Sequence, residues 1–335
     1  MFFLKICMEL SCDVESIMKI VNDSFKRKYF YKNKEIIMAK TFGDAERHIL
    51  SLFNVGATFA YNGVGYTVIN SGKPTCSKGE PKTDIYISAE DAYRNIAEFK
   101  ISFKKQNADF LENKTNAERA EQLFGSDWKN IISNATYALQ DEFLSHTLIY
   151  KEKLGKTDKG AITLGWKFEL LNVEGGRLSG NMQLTREQII DVYAGTNLKG
   201  DKRDATVNGE QIPFSGVANY IIFENTHINT IQEAIDSLIT IENYVDSHPD
   251  VYFACKALNY RTFREKYDGN RPLAVYVDWF ENNGKLDCKI QFDTPLEQGG
   301  DYVYARLKAA MDMLGVKTTD DLNSENVEDT SKIYE

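Results

Sequence analysis

The chain has 335 residues, 42% hydrophobic and 12% aromatic, with 40 Lys and Arg against 49 Asp and Glu for a formal charge of -9. This is globular composition sized for one large or two ordinary domains. It excludes disordered, collagen-like and membrane-spanning classes and a uniformly basic, histone-like binder.

From Asp13, the residues Val14, Ile17, Met18, Val21 and Phe25 form the stripe of an amphipathic helix that runs into the basic stretch FKRKYFYKNK. A second helix is expected around Gly43 to Phe53. Short β-rich runs follow at Tyr66 to Ile69 and Asp84 to Ile87, then a longer strand at Ile96 to Phe103. A capping box of Thr115 with Glu118 opens a helix that Gly125 closes, and another begins at Asp127 with Trp128, Ile131, Ile132, Ala135 and Leu139 in register. Beyond Lys151 the texture turns to short β runs. Asn208-Gly209 and Asn283-Gly284 mark hairpins, and helices are expected over Thr185 to Ala194, Ile231 to Val245 and Tyr302 to Leu314. These elements predict an α/β (α+β) fold with a mixed central sheet flanked by helices. Along the chain we expect an N-terminal helical, basic segment (1–35), a core (36–150), a β-rich region (151–316) and a flexible acidic tail (317–335), the last carrying two Lys and six acids.

Cys7, Cys12, Cys76, Cys255 and Cys288 are scattered with no CxxC pair, which argues against a disulfide framework or zinc knuckle. The opening Met-Phe-Phe-Leu, interrupted by Lys5 and Glu9, does not read as a signal peptide. A reducing, cytoplasmic setting and no membrane are the expectations.

The most informative stretch is GEPKTDIYI followed by IAEFKISFKK, with Asp84 fourteen positions before Glu98 and Lys100 two beyond it. In a strand, Glu98, Lys100 and Ser102 share one face while Ala97, Phe99, Ile101 and Phe103 face a core. If the Asp84 strand pairs alongside, two carboxylates converge on a hard cation such as Mg²⁺, and the lysine orients the attacking water. The bare pattern of acid, any residue, Lys occurs five times: Glu80-Lys82, Glu98-Lys100, Glu112-Lys114, Asp127-Lys129 and Asp287-Lys289. Clean strand alternation and the upstream Pro81 and Asp84 single out the Glu98 pair. Its rival is Asp278 with Asp287 and Lys289 on a hairpin.

These residues resemble the PD-(D/E)XK nucleases, the restriction-endonuclease-like superfamily, over about residues 40 to 145. Pro81 and Asp84, separated by Lys82 and Thr83, match the first half-motif, and Glu98, Phe99 and Lys100 the second. The resemblance implies a restriction-endonuclease-like core and Mg²⁺-dependent phosphodiester hydrolysis, with Mn²⁺ able to substitute, that releases the 3′ oxygen and leaves a 5′ phosphate. It implies Asp84 and Glu98 as metal ligands and Lys100 as the water-positioning residue. Many members add an acid from a preceding helix, for which Glu46 is the candidate. The substrate implied is double-stranded DNA, and cutting both strands favours a two-fold homodimer.

Polar groups after the motif, Lys104, Lys105, Gln106, Asn107 and Lys114, are candidate DNA contacts, with Lys104 sharing the strand parity of Lys100. Arg261, Arg264, Lys266 and Arg271 in NYRTFREKYDGNR form a second basic stretch on which we expect DNA contact. Lys199, Lys202 and Arg203 form a third. In FKRKYFYKNK the bland reading, stems covering apolar surface, is preferred. His48, His146, His227 and His248 show no metal spacing, and HExxH, GxxxxGK[ST] and GxSxG are absent. The leading expectation is a sequence-specific DNA endonuclease. The alternatives are a non-catalytic nucleic-acid-binding protein that keeps the fold, and a structure-specific nuclease or exonuclease.

Overall fold

The computed structural model describes residues 43–77, 79–105, 110–112, 115–225 and 227–335. The helix expected from Asp13, the basic stretch within residues 1–35, and the candidates Gln106, Asn107 and Lys114 lie outside the described residues.

The chain is a mixed α+β protein. Its division does not follow the expected boundary at residue 150. Of the described residues, a smaller unit takes in 43–72, 87–98 and 223–237, and a larger one 73–86, 99–222 and 238–335. Strands β3 (Ile85–Asp91) and β4 (Ile96–Lys104) each run through both units, so strand continuity overrides chain order.

In the smaller unit, a helix over residues 43–51 leads to Phe53, whose buried ring meets Phe59 edge-on at 6.4 Å. Phe59 lies on β1 (Thr58–Tyr61), which forms an antiparallel hairpin with β2 (Val64–Gly72). The turn between β3 and β4 is fastened by Asp91, whose Oδ1 accepts from the Tyr93 and Asn95 backbone N–H groups. The expected helix Ile231 to Val245 is interrupted. A helix spans Ile231–Asp236, capped by Thr230 and Glu233; after it the chain enters the larger unit, where β12 (Ile239–Thr240) pairs with Tyr220 and Ile221 of β11 (Tyr220–Phe223). A second helix, Ile241–Ser247, then starts on the Thr240 cap. The apolar periodicity runs through the break, but strand pairing and a fresh N-cap satisfy the backbone differently.

The larger unit is built on β7 (Ala161–Leu171), buried along nearly its whole length. It pairs antiparallel with β5 (Phe110–Glu112), β6 (Ile149–Tyr150), β13 (Tyr252–Arg261) and β15 (Val275–Asn282). Strands β8 (Ser179–Asn181) and β14 (Lys266–Tyr267) extend β13, and β16 (Lys285–Gln291) extends β15. The register of β13 on β7 shifts between Leu258 and Asn259 opposite Gly165. A Cβ on Gly165 would lie 2.6 Å from Val275 O, so only glycine admits β15 at this bulge. Trp166 and Trp279 fill the core, the latter donating from Nε1 to Thr163 O, and Trp128 is buried too. Both Asn-Gly hairpins form as expected, β15–β16 and β9 (Thr206–Val207) with β10 (Glu210–Gln211), with positive φ at all four turn residues.

Of the expected helices, Arg186–Ala194 carries the full Thr185–Gln188 capping box, and Gly300–Met313 is followed by Gly315 at φ 68°. The Ala117–Phe124 helix is capped by Asn116, whose side chain accepts from Arg119 N, and not by Thr115. The tail is packed, contrary to expectation. Leu322 and Val327 are buried, Glu328 N donates to Leu286 O, and β17 (Ile333–Tyr334) runs parallel to β6. Its acids cap turns, as Asp321 and Asp329 do, while apolar residues between them reach the core. Among the described residues no helix is long and apolar enough to cross a membrane.

Candidate functional site

The GEPKTD segment is held within the larger unit by its backbone. The N–H groups of Lys82 and Thr83 both donate to Gly216 O, at 3.0 and 3.2 Å, and Gly216 N donates to Arg203 O. A Cβ at Gly216 would fall 1.8 Å from Lys202 O, so this close approach of three backbone segments requires glycine. Asp84 follows at the entrance to β3. Its N–H donates to Ile101 O at 2.9 Å, and its Oδ2 accepts from Phe103 N at 2.8 Å. The carboxylate is thus fastened beside Ile101 to Phe103 near the end of β4.

A cleft of about 550 Å³ opens here, lined among others by Lys82, Asp84, Lys104, Glu112, Arg119 and Lys202. All six belong to the larger unit. Along β4, Phe99, Ile101 and Phe103 are buried in the core as expected and Lys104 sits half-buried at the cleft, but the expected alternation is incomplete: Ser102, on the Lys100 face, is fully buried, and Ala97 is only half-buried.

Behind the cleft runs a chain of alternating charge. Lys82 Nζ donates to Glu112 Oε2 at 3.0 Å and to Leu111 O at 3.1 Å. Arg119 Nε lies 3.4 Å from the same Glu112 oxygen, and its Nη1 is 3.6 Å from Asp191 Oδ2. Asp191 Oδ1 accepts from Thr196 Oγ1 and Asn197 N. Four separate pieces meet: the GEPKTD segment, β5, the Ala117–Phe124 helix and the Arg186–Ala194 helix. Burial pushes the Lys82 ammonium below its ordinary value; Glu112 opposes the shift, while Arg119 and Lys104 add to it. For Glu112 burial acts upward, but Lys82 and Arg119 together hold the carboxyl below the usual range. Arg119 is buried, and its Nη2 has no hydrogen-bond partner among the described residues. Lys104 and Lys202 pair with no carboxylate among the described residues. The cleft therefore sets the carboxylates Glu80, Asp84 and Glu112 against four cations, of which, among the described residues, Lys82 and Arg119 are ion-paired while Lys104 and Lys202 are not, a chemistry suited to a phosphate or another anion.

The expected metal trio fares differently. Glu46 is buried on the helix of residues 43–51, and Glu98 is half-buried on the first part of β4; both fall in the smaller unit. Among the described residues no three His, Cys, Asp or Glu side chains gather into a group able to hold a metal ion, so Glu46, Asp84 and Glu98 form no such cluster. The backbone bonds explain part of this. They register Asp84 to Ile101 and Phe103, and Glu98 lies further back on a strand that rises roughly 3.3 Å per residue. Lys100 is half-buried, its backbone paired with Asn219, and it does not line the cleft. Lys105 is half-buried next to Lys104.

The second basic stretch divides. Arg261 is bound by Asp268 and, at 3.4 Å, by Asp158, so its guanidinium serves the fold and not an open surface. Arg264, Lys266 and Arg271 are exposed. From the third stretch, Lys202 reaches the cleft, and Arg203 forms a bidentate pair with Asp204.

Sequence reasoning passed over Lys82, Glu112 and Arg119. Two signals existed. Glu80-Lys82 and Glu112-Lys114 were among the five acid-x-Lys pairs, and three members of those two pairs, Glu80, Lys82 and Glu112, line this cleft. Comparisons of the chain with family models, curated proteins and solved structures return no match.

Proposed function

We propose that the chain is a metal-dependent nuclease that hydrolyses phosphodiester bonds in DNA at the Asp84 cleft, with Lys104 taking the role first assigned to Lys100. The observation that carries this reading is that Asp84 and Lys104 line one cleft together with Lys82, Arg119 and Lys202. Mg²⁺ is compatible with this donor set, because it is held by one or two carboxylates together with substrate phosphate oxygens and retained waters, and Asp84 and Glu80 are carboxylates that line the cleft. When bound, the cation would offset charge building on the phosphate and acidify a water.

The chain's own residues supply the rest. Phe103 N–H fixes one Asp84 oxygen and so aims the carboxylate. Lys104 Nζ donates to the attacking water or to a non-bridging phosphate oxygen, which places the nucleophile in line. Lys202 neutralises a flanking phosphate, and the Lys82–Glu112–Arg119 chain keeps the cleft wall rigid and cationic.

The test incubates wild type, Asp84→Ala and Lys104→Ala with supercoiled plasmid, linear plasmid and a phage genome, in Mg²⁺ or EDTA. Discrete fragments that require metal, Asp84 and Lys104 support a sequence-specific endonuclease, while smears or nicked circles redirect the reading to a non-specific or structure-specific nuclease. DNA that is bound yet stays intact would make the chain a nucleic-acid-binding protein, and cleavage undiminished in Asp84→Ala would remove this cleft from the chemistry.

A further inference from the structure

Beside the cleft, in the same unit, the loop of residues 199–216 holds an aromatic ring in a posture that its packing does not explain. Phe214 has φ 56°, a left-handed backbone that a bulky aromatic residue rarely adopts. The residue is 52% exposed, so the strained conformation is not compensated by burial. The ring is held firmly all the same. Phe214 N donates to Asp204 Oδ1 at 2.9 Å, and Asp204 takes Arg203 in a bidentate pair at 2.9 and 2.6 Å. The Arg203 guanidinium carbon in turn lies 5.0 Å from the Phe214 ring centroid. Strain that persists because its surroundings over-determine it is a mark of functional use.

We propose that Phe214, backed by Arg203, is a stacking platform for a base of the nucleic acid whose phosphate occupies the Asp84 cleft. This rests on reading that cleft as a nucleic-acid site. The connection between the two is short on both sides. Lys202, which lines the cleft, is the residue before Arg203, and Gly216, which accepts from Lys82 and Thr83, lies two residues after Phe214. Charge agrees with a polyanion. Lys199, Lys202 and Arg203 share the loop with Asp201, Asp204 and Glu210; Asp201 accepts from Ser77 N and Asp204 from Arg203 and Phe214 N, while Glu210 is exposed on the β9–β10 hairpin and Lys202 lines the cleft. The occupant must be flat and tethered to phosphate, which is what a nucleobase is, and one face of an aromatic ring accepts any base. The base has to be accessible, in a single strand, at an end or out of the stack.

The test uses short single-stranded and duplex oligonucleotides carrying 2-aminopurine at successive positions, with Ca²⁺ in place of Mg²⁺, and compares wild type with Phe214→Gly and Phe214→Trp. Glycine tolerates φ 56°, so Phe214→Gly relieves the strain and should melt no lower than wild type. Expected are quenching at one or two positions in wild type and Phe214→Trp, its loss in Phe214→Gly, and a Kd weakened about 5- to 150-fold by that change, the range for one lost base stack. Unchanged quenching and Kd in Phe214→Gly would overturn the platform even where Asp84-dependent cleavage is intact. Position-specific quenching that depends on Phe214, in a protein that cuts no DNA, would sustain the platform while the nuclease reading fails. No binding of any oligonucleotide would overturn both.

Discussion

Two hairpins carry nearly the same letters and end in different chemistry. β15 and β16 bring Asp278 directly across from Lys289, with Asp287 two residues back from that lysine. There Asp278 is taken by Arg306 from the Gly300–Met313 helix, and Asp287 accepts from Asn282 Nδ2 and Cys288 N. Asp287 borders a void of only about 10 Å³. At the Asp84 end of β3 and β4, a carboxylate and a lysine instead border a cleft of about 550 Å³. A strand pattern supplies the groups, but the element packed over them decides whether they are consumed by an ion pair or left facing a space where a ligand fits.

That contrast is breakable, most forcefully at the carboxylates. Asp84→Ala should lower DNA cleavage by roughly 10³-fold, whereas Asp287→Ala should change it no more than about twofold, measured as initial rates on plasmid at fixed Mg²⁺. Equal losses would erase the distinction between the two hairpins.

The ion pairs should differ next. Removing Glu112 leaves Lys82 and Arg119 facing each other with little solvent, so Glu112→Ala should cost roughly 3 kcal/mol in urea denaturation. Asp278 and Arg306 are 25% and 40% exposed at the side chain, and Asp278→Ala should cost less than about 1 kcal/mol. Within β4 itself, Lys104→Ala should reduce cleavage by roughly 10²-fold while Lys100→Ala stays within about twofold, read under the same conditions. The reverse order would restore Lys100 to the site.

The smallest effect is in pH. The folded-state Glu112 carboxyl lies below its ordinary value of 4.5, so the unfolded chain binds more protons on the acid side and stability rises with pH there. Its contribution is complete above pH 4.5 and is lost as pH falls through the folded value. Melting temperatures of wild type and Glu112→Gln, followed from pH 7 to pH 3, should therefore converge on acidification. Curves that stay parallel would remove Glu112 as the source.

Local features of the fold were legible because they are written in contiguous residues. The core face of β4, the two Asn-Gly turns, the Thr185 cap and the Gly125 stop each depend on fewer than a dozen neighbours. Where neighbours distant in sequence compete, local rules lose. The periodic run from Ile231 to Val245 is cut because Ile239 and Thr240 find a strand partner in β11, and the acidic tail packs because Leu322 and Val327 find a core.

The candidate site divides along the same line. From the sequence alone came Asp84 as the acid, its place at the start of a strand, and the lysine-bearing face of β4, since strand parity is a local property. Only the tertiary structure decided which lysine of that face stands at the cleft, because the choice is set by the backbone bonds from Asp84 to Ile101 and Phe103. The tertiary structure also brought in Lys82, Glu112 and Arg119 and carried Lys202, a candidate from the third basic stretch, to the same cleft; these meetings join segments separated by up to 120 positions, from Lys82 to Lys202. No pattern within one segment specifies such a meeting; it follows from how sheet, helix and loop pack against one another.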